Sequence, residues 1–115
     1  MENRRKLKRV YLAFFTRLFD RDTGELLGHL ANLTSEGAMI ISERMLEIDR
    51  VYRLHMDLSE AFFTKSHLDF LARCMWSKSE EMAPKFYITG FHFVKIAPED
   101  IQIIGQIIQE YELHE

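Results

Sequence analysis

The sequence predicts an all-β domain, a small closed or nearly closed barrel with one helix at its C-terminal end. About six segments rich in β-branched and aromatic residues follow one another over the first 96 residues. Several of them alternate apolar with polar side chains, as half-buried strands do. After Pro98 the apolar spacing becomes that of a helix. An open sheet of six strands would expose two edges, and closure into a barrel removes them.

The first two strands are expected to form a hairpin. Residues 10–20 form a long segment that is rich in aromatic residues, and this composition favours a strand. Residues 21–25 supply turn chemistry through Asp22 and Gly24, and residues 26–33 return as the second strand. A short third strand is predicted at 38–42.

The later strands show the clearest alternation. Residues 51–58 and 67–76 place every second side chain on one apolar face, which is expected to point into the core. By this alternation Cys74 is a small core residue. Trp76 could stack on a ligand, but its place on the apolar face favours the core. A polar turn over 77–85 and a strand over 86–96 complete the sheet. The expected core positions are Tyr52, Leu54, Met56, Leu58, Leu68, Phe70, Ala72, Cys74 and Trp76.

The C-terminal helix begins with a proline and two acids, which suit a helix N-terminus. Its apolar side chains recur at helical spacing and are expected to pack on the barrel, and Gly105 weakens it relative to alanine. The stripe consists of Ile101, Ile103, Ile104, Ile107, Ile108 and Tyr111.

Composition favours one folded domain. The chain has 115 residues, of which 47% are hydrophobic and 29% charged, with a formal charge of −3. That is enough apolar material for a core and too little net charge for a disordered chain. No secretory leader or membrane-spanning run is evident, and the single cysteine cannot form an internal disulfide. We therefore expect a cytoplasmic protein.

No catalytic or metal-binding motif is visible. The five histidines and Cys74 are spread singly along the chain, without the close spacing of common zinc motifs. No phosphate loop, dinucleotide glycine pattern or nucleophile elbow occurs. The sequence therefore predicts a protein that is not an enzyme, with no metal site and no cofactor.

Charge is distributed unevenly, with a basic head and an acidic tail. Residues 1–9 carry five basic side chains and one acidic one, whereas residues 99–115 carry no Lys or Arg. Arg5 and Arg9 stand four apart with Arg4 beside them. Each arginine offers a planar fork that fits a phosphate or the acceptor edge of a guanine.

A second polar segment ends the second predicted strand. Asn32, Thr34 and Ser35 supply an amide and two hydroxyls, and Gly37 lets the backbone turn or approach a ligand closely. On its own this segment is also what an ordinary polar turn looks like.

The two segments together, in this order, resemble the PilZ domain family. Arg5-x-x-x-Arg9 resembles its first motif, with Arg4 in the place of a frequent extra arginine. The run Asn32-x-Thr34-x-x-Gly37 resembles its second motif, except that threonine replaces serine. The resemblance covers roughly residues 4–112, since the later pattern is similar too: Trp76, Gly90-Phe91-His92-Phe93 and Pro98-Glu99-Asp100.

The resemblance implies a six-stranded antiparallel barrel with a C-terminal helix over residues 10–115, and a switch segment at 1–9. It implies a bacterial receptor for the second messenger cyclic di-GMP. Arg5 and Arg9 would bind guanine edges and phosphates as the head wraps over the barrel, and Arg4 would assist. On ligand binding the head would become ordered and present a new surface to a partner protein.

The same resemblance assigns roles to the second segment. Asn32 and Thr34 would hydrogen-bond a guanine, Ser35 offers a nearby substitute hydroxyl, and Gly37 would keep the turn open. The extra methyl of Thr34 stiffens its rotamer and is expected to leave binding equal or weaker.

Two other functions stay open at this point. One is a PilZ-like adaptor that binds proteins but no nucleotide, through the helix and the aromatic surface. The other is a small barrel that binds single-stranded nucleic acid, against which the acidic tail and the net negative charge argue.

Overall fold

The computed structural model describes residues 16–58 and 65–112, with side chains up to 109. It contains six strands and one helix in these ranges. They are β1 (Arg17–Asp20), β2 (Leu26–Leu33), β3 (Gly37–Ser42), β4 (Val51–Asp57), β5 (His67–Ser79), β6 (Tyr87–Lys95) and α1 (Pro98–Glu112).

The strands close into an antiparallel barrel in the order β1-β2-β3-β6-β5-β4. Closure is made by β1, which pairs with β2 on one side and with β4 on the other. Phe19 lies opposite His55 in this closing ladder, flanked by the pair Leu18 and Met56. The predicted six-stranded barrel is therefore confirmed. The first predicted strand, 10–20, is described only from residue 16.

The barrel interior is filled by side chains that alternate along the strands, except where glycines or register shifts interrupt the alternation. Leu54 and Met56 on β4 and Leu68 on β5 are fully buried, as their alternation predicts. Tyr52 and Phe91 meet edge to face across the interior, with ring centroids 5.7 Å apart. The whole cluster consists of Leu18, Leu27, Leu30, Leu33, Ala38, Ile40, Leu46, Tyr52, Leu54, Met56, Leu68, Phe70, Ala72, Cys74, Phe91 and Ile104.

The β1–β2 turn lies where Asp22 and Gly24 predict it, and the side chain that organises it is that of Asp20. Asp20 accepts the amide of Asp22 through its carboxylate at 2.8 Å and the amide of Gly24 through its carbonyl at 2.7 Å. Gly24 has φ of +78°, a left-handed conformation that glycine adopts without steric cost. The carboxylate of Asp20 is thus buried and hydrogen-bonded within the turn that it organises.

Trp76 is not in the core, contrary to the sequence prediction. The β5–β6 register shifts between Cys74 and Trp76, so β5 carries a bulge there. A bulge inserts one extra residue and reverses which side chains point inward. Cys74 faces the core as predicted, but Trp76 lies on the outer face and is 38% exposed.

Ser77 takes the inward position that alternation had assigned to Trp76. Its hydroxyl lies 2.7 Å from that of Thr89 and accepts the amide of Leu46 at 3.0 Å. Both hydroxyls are buried and paired, so the polar pair costs the interior little. The strand also continues to Ser79, so the loop begins at residue 80 rather than at 77.

Helix α1 begins at Pro98, as predicted, and packs against the barrel through Ile104, which is 1% exposed. Ile103, Ile107 and Ile108 pack around it, whereas Ile101 is 45% exposed and lies off the contact. The buried carboxylate of Asp100 accepts a hydrogen bond from the ammonium of Lys65 at 2.7 Å. This hydrogen bond raises the pKa of Lys65. Within the two described ranges no helix is long and apolar enough to cross a membrane.

Two glycines are expected to respond to alanine in opposite ways. A Cβ at Gly28 would overlap the carbonyl oxygen of Ile41 on β3, so Gly28→Ala must force two paired strands apart. It should cost about 1–3 kcal/mol of unfolding free energy. A Cβ at Gly105 meets nothing within 4 Å, so Gly105→Ala should add up to ~1 kcal/mol through helix propensity. Urea denaturation followed by far-ultraviolet circular dichroism measures both. A Gly28→Ala variant as stable as the wild type would contradict the strand spacing.

Candidate functional site

The turn between β2 and β3 is held by the side chain of Thr34. Its hydroxyl oxygen accepts the amides of Glu36 at 3.1 Å and Gly37 at 3.2 Å. The amide of Thr34 donates to the carbonyl of Gly37 at 2.9 Å, and the hydroxyl lies 3.4 Å from the same oxygen. The oxygen lone pairs of this hydroxyl therefore serve the turn, while its proton makes only a long contact and can be turned toward a ligand.

Gly37 is buried where β3 meets β6. A Cβ there would overlap the carbonyl oxygen of Phe91, so the close approach of the two strands requires glycine. The amide of Phe93 donates to the carbonyl of Glu36 at 2.9 Å and ties the turn to β6. The conformation of this turn is thus fixed from two sides.

Asn32 points away from the core. The β2–β3 register shifts between Leu30 and Asn32, which lets Leu30 and Leu33 both face inward while Asn32 stays exposed. Among the described residues, neither the Asn32 amide nor the exposed Ser35 hydroxyl has a side-chain hydrogen-bond partner. Both groups are therefore available to bind a ligand.

A row of residues crosses four strands of the outer wall from Asn32. Asn32 pairs with Met39, Met39 with Gly90, and Gly90 with Trp76. Three interstrand steps, about 14 Å along the curved wall, separate the ends of this Asn32–Trp76 row. The row therefore runs half-way round the six-stranded barrel, from a polar end on β2 to an aromatic end on β5.

Trp76 lies flat against Gly90. A Cβ at Gly90 would come 2.5 Å from the indole ring, so glycine makes room for the tryptophan. The ammonium of Lys78 lies 5.5 Å from the ring centroid, within cation–π range. The indole thus lies between the Gly90 backbone and Lys78 and is 38% exposed.

A second row runs beside the first and carries positive charge. Gly37 pairs with His92, and His92 pairs with Arg73. The side chains of His92 and Arg73 are exposed. Arg73 donates to the carbonyl of Asp49 at 3.0 Å and keeps other N–H groups for a ligand. The exposed Glu36 is the acidic residue of the adjoining turn.

The described part of the chain begins beside β2. The carbonyl of Thr16, the first described residue, accepts the amide of Leu30 at 2.8 Å, two residues before Asn32. Arg4, Arg5 and Arg9 lie outside the described residues. Arg9 is seven residues before Thr16, a length of chain that spans at most about 24 Å.

Two members of these rows, Trp76 and Arg73, were not predicted as site residues from the sequence. Trp76 was missed because the bulge reversed its orientation, and Arg73 because only the β5–β6 register brings it to His92. Ser77 gives no local signal of the bulge, because strict alternation also expects a polar residue at 77, on the outer face. Arg73 has no local signal.

Cys74 offers no reactive nucleophile. Its side chain is fully buried, and burial raises the pKa of its thiol, so the thiol stays protonated at neutral pH. This agrees with the predicted core role.

Comparisons with known proteins agree with the fold. The solved structure of the Bacillus subtilis inhibitor of motility, MotI/DgrA, superposes with a TM-score of 0.70 at 14% sequence identity. The match covers 87% of this chain and 47% of that one, so this chain spans about half the length of that protein. A search of curated proteins found no match. The family model of the PilZ domain matches residues 3–110, nearly the whole chain, and the chain therefore belongs to the PilZ domain family.

Proposed function

We propose that this protein is a receptor for cyclic di-GMP that binds the ligand between its basic head and the Asn32–Trp76 row. One observation carries the proposal. The chain enters β1 through a hydrogen bond to Leu30, which brings the head within reach of Asn32 and Thr34. This supports a site in which two motifs about 25 residues apart in sequence act on one ligand.

The chemistry of this face suits a cyclic dinucleotide with two phosphates and two guanines. Arg5 and Arg9 supply forks for phosphate or for a guanine acceptor edge. Asn32 offers both a donor and an acceptor, as the remaining edge of a guanine requires. Trp76, at the β5 end of the row, is 38% exposed and offers part of its indole for a base to stack on.

The turn residues have a supporting role in this proposal. Thr34 holds the β2–β3 turn and turns its proton to the ligand, and Ser35 supplies a second hydroxyl beside it. Arg4 adds a stacking or phosphate contact, and Gly37 keeps the turn against β6.

We further infer that the protein relays the signal without chemistry of its own. The head becomes ordered on the ligand, and the ordered head with its ligand forms a surface that a partner protein recognises. Charge-assisted contacts offset the entropy that ordering costs. This role requires no cofactor. We expect the protein to act in the bacterial cytoplasm.

One observation favours the adaptor function as the second candidate. Several large apolar side chains are exposed around the β5–β6 loop, among them Met82 at 91%, Met75 at 50% and Phe86 at 39%. Surfaces of this kind often bind other proteins. An adaptor of this sort would bind its partner equally well with and without nucleotide.

Binding is tested by titration calorimetry with cyclic di-GMP. We expect wild-type binding at micromolar concentration or below. Arg9→Ala should weaken it at least tenfold, since a charge-assisted hydrogen bond contributes about 1.5–3 kcal/mol. Asn32→Ala and Trp76→Ala should each weaken it as well.

The matched control is Arg53→Ala. Arg53 is an exposed arginine on β4, a strand that carries no residue of the Asn32–Trp76 row, and its partner is Asp22 at 3.3 Å. The Arg53→Ala substitution removes the same charge outside the proposed site, so this variant should bind cyclic di-GMP with wild-type affinity. Equal losses from Arg9→Ala and Arg53→Ala would reduce the site to general electrostatics. Wild-type protein that binds no ligand would leave the adaptor function in its place.

The turn hydroxyl is tested by two substitutions of Thr34. Thr34→Val leaves two turn amides without their acceptor and should cost about 1 kcal/mol of stability and several-fold in ligand affinity. Thr34→Ser keeps the hydroxyl and should restore both. A Thr34→Val variant that binds like the wild type would remove this residue from the site.

Ordering of the head is tested by amide hydrogen exchange. Residues 1–10 should exchange more slowly when cyclic di-GMP is bound, whereas the core strand β4 should be unaffected. Ligand binding without added protection of residues 1–10 would contradict the relay mechanism.

A further inference from the structure

Two histidines and an aspartate that are scattered in the sequence meet on the outer wall of β4 and β5. His55 pairs with Asp69 across the two strands, and His67 precedes Asp69 by two positions on the same face of β5. One ligand atom from each of the three lies within 4.8 Å of the other two. In a tetrahedral zinc site with bonds near 2.1 Å, neighbouring ligand atoms are about 3.4 Å apart. The cluster is therefore close to the size that a zinc ion requires.

The nitrogen atoms already point toward the carboxylate. Nδ1 of His55 lies 2.9 Å from Oδ1 of Asp69, and Nε2 of His67 lies 3.6 Å from Oδ2. The two imidazole rings stack with centroids 4.5 Å apart and planes inclined by 22°. Closing on one ion requires each ring to turn about χ2, a torsion with a broad energy minimum.

The outward nitrogens have the partners that zinc-binding histidines usually have. Nδ1 of His67 lies 3.0 Å from the hydroxyl of Ser66, and Nε2 of His55 lies 3.5 Å from Oδ1 of Asp57. Such second partners fix the ring orientation and make the ligating nitrogen a better donor. Phe19 packs edge-on against His55 and restricts it further.

The charges around the cluster leave room for a cation. Asp57 and Asp69 are balanced by Arg17, at 2.8 Å from Asp57, and by Arg21, at 3.8 Å from Asp69. The Arg21 pair is long and half-exposed, so its guanidinium can move into solvent at little cost. An ion bound at Asp69 would replace a weak ion pair.

We propose that His55, His67 and Asp69 bind a zinc ion, with water in the fourth position. Two imidazoles and one carboxylate favour zinc over hard cations such as Mg²⁺, which prefer oxygen ligands. The three side chains are half-buried, so the ion exchanges with solvent and links β4 to β5. The site goes beyond the proposed nucleotide function. Asp69 and Trp76 are seven residues apart on β5, about 23 Å of strand.

The test is a titration of the tag-free, chelator-treated full chain with zinc chloride by calorimetry. We expect one ion per chain at micromolar affinity. His67→Ala and Asp69→Asn should each weaken binding at least tenfold. Ser66→Ala, which removes only the outer partner of His67, should weaken it about tenfold. Magnesium chloride should give no binding.

The matched control is His92→Ala, which removes an exposed histidine from β6, away from the cluster. It should bind zinc like the wild type. Circular dichroism must show that every variant is folded. Saturating zinc should raise the melting temperature of wild-type protein by several degrees and leave that of Asp69→Asn unchanged. Wild-type protein that binds no zinc at 100-fold excess, or His67→Ala and Asp69→Asn variants that bind it as tightly as the wild type, would overturn the proposal.

Discussion

The pairing of β1 with β4 is the constraint on which the rest of the structure depends. This short strand joins both ends of the sheet and leaves no open edge among the described strands. Closure fixes the register all the way round, and register decides which side chains share a face. The Asn32–Trp76 row and the His55–His67–Asp69 cluster are both consequences of that register. A slip of one residue in the pairing of a strand would turn the outward side chains of that strand into the core.

Glycine shapes the proposed ligand face more than any polar residue does. At Gly37 the missing Cβ lets β3 lie against the carbonyl of Phe91, and at Gly90 it lets an indole lie flat on backbone. The first fixes the turn that carries Thr34, and the second fixes the far end of the row. The polar groups contribute the recognition chemistry, but their spacing follows from these two close contacts.

A feature of this protein could be predicted from the sequence when its signal is local, and not when it depends on residues that are distant in the sequence. Alternation placed Leu54, Met56 and Leu68 in the core, because burial on one face imposes a period of two. It failed at Trp76, because a bulge costs little locally and is stabilised by a distant partner, the Ser77–Thr89 pair. The β2 segment and the start of α1 carry their own local signals and were predicted well. Long-range pairs such as His55 with Asp69 carry none, so only the folded chain brings them together.

Trp76 is the one tryptophan of the chain, and its place on the outer wall changes what its fluorescence reports. Its indole is partly in water in the native state, so unfolding alters its surroundings less than it would for a core residue. Emission is then a poor probe of global unfolding. It is instead a label-free sensor of whatever covers the Asn32–Trp76 row, and a built-in reporter for screening ligands or partners at that surface.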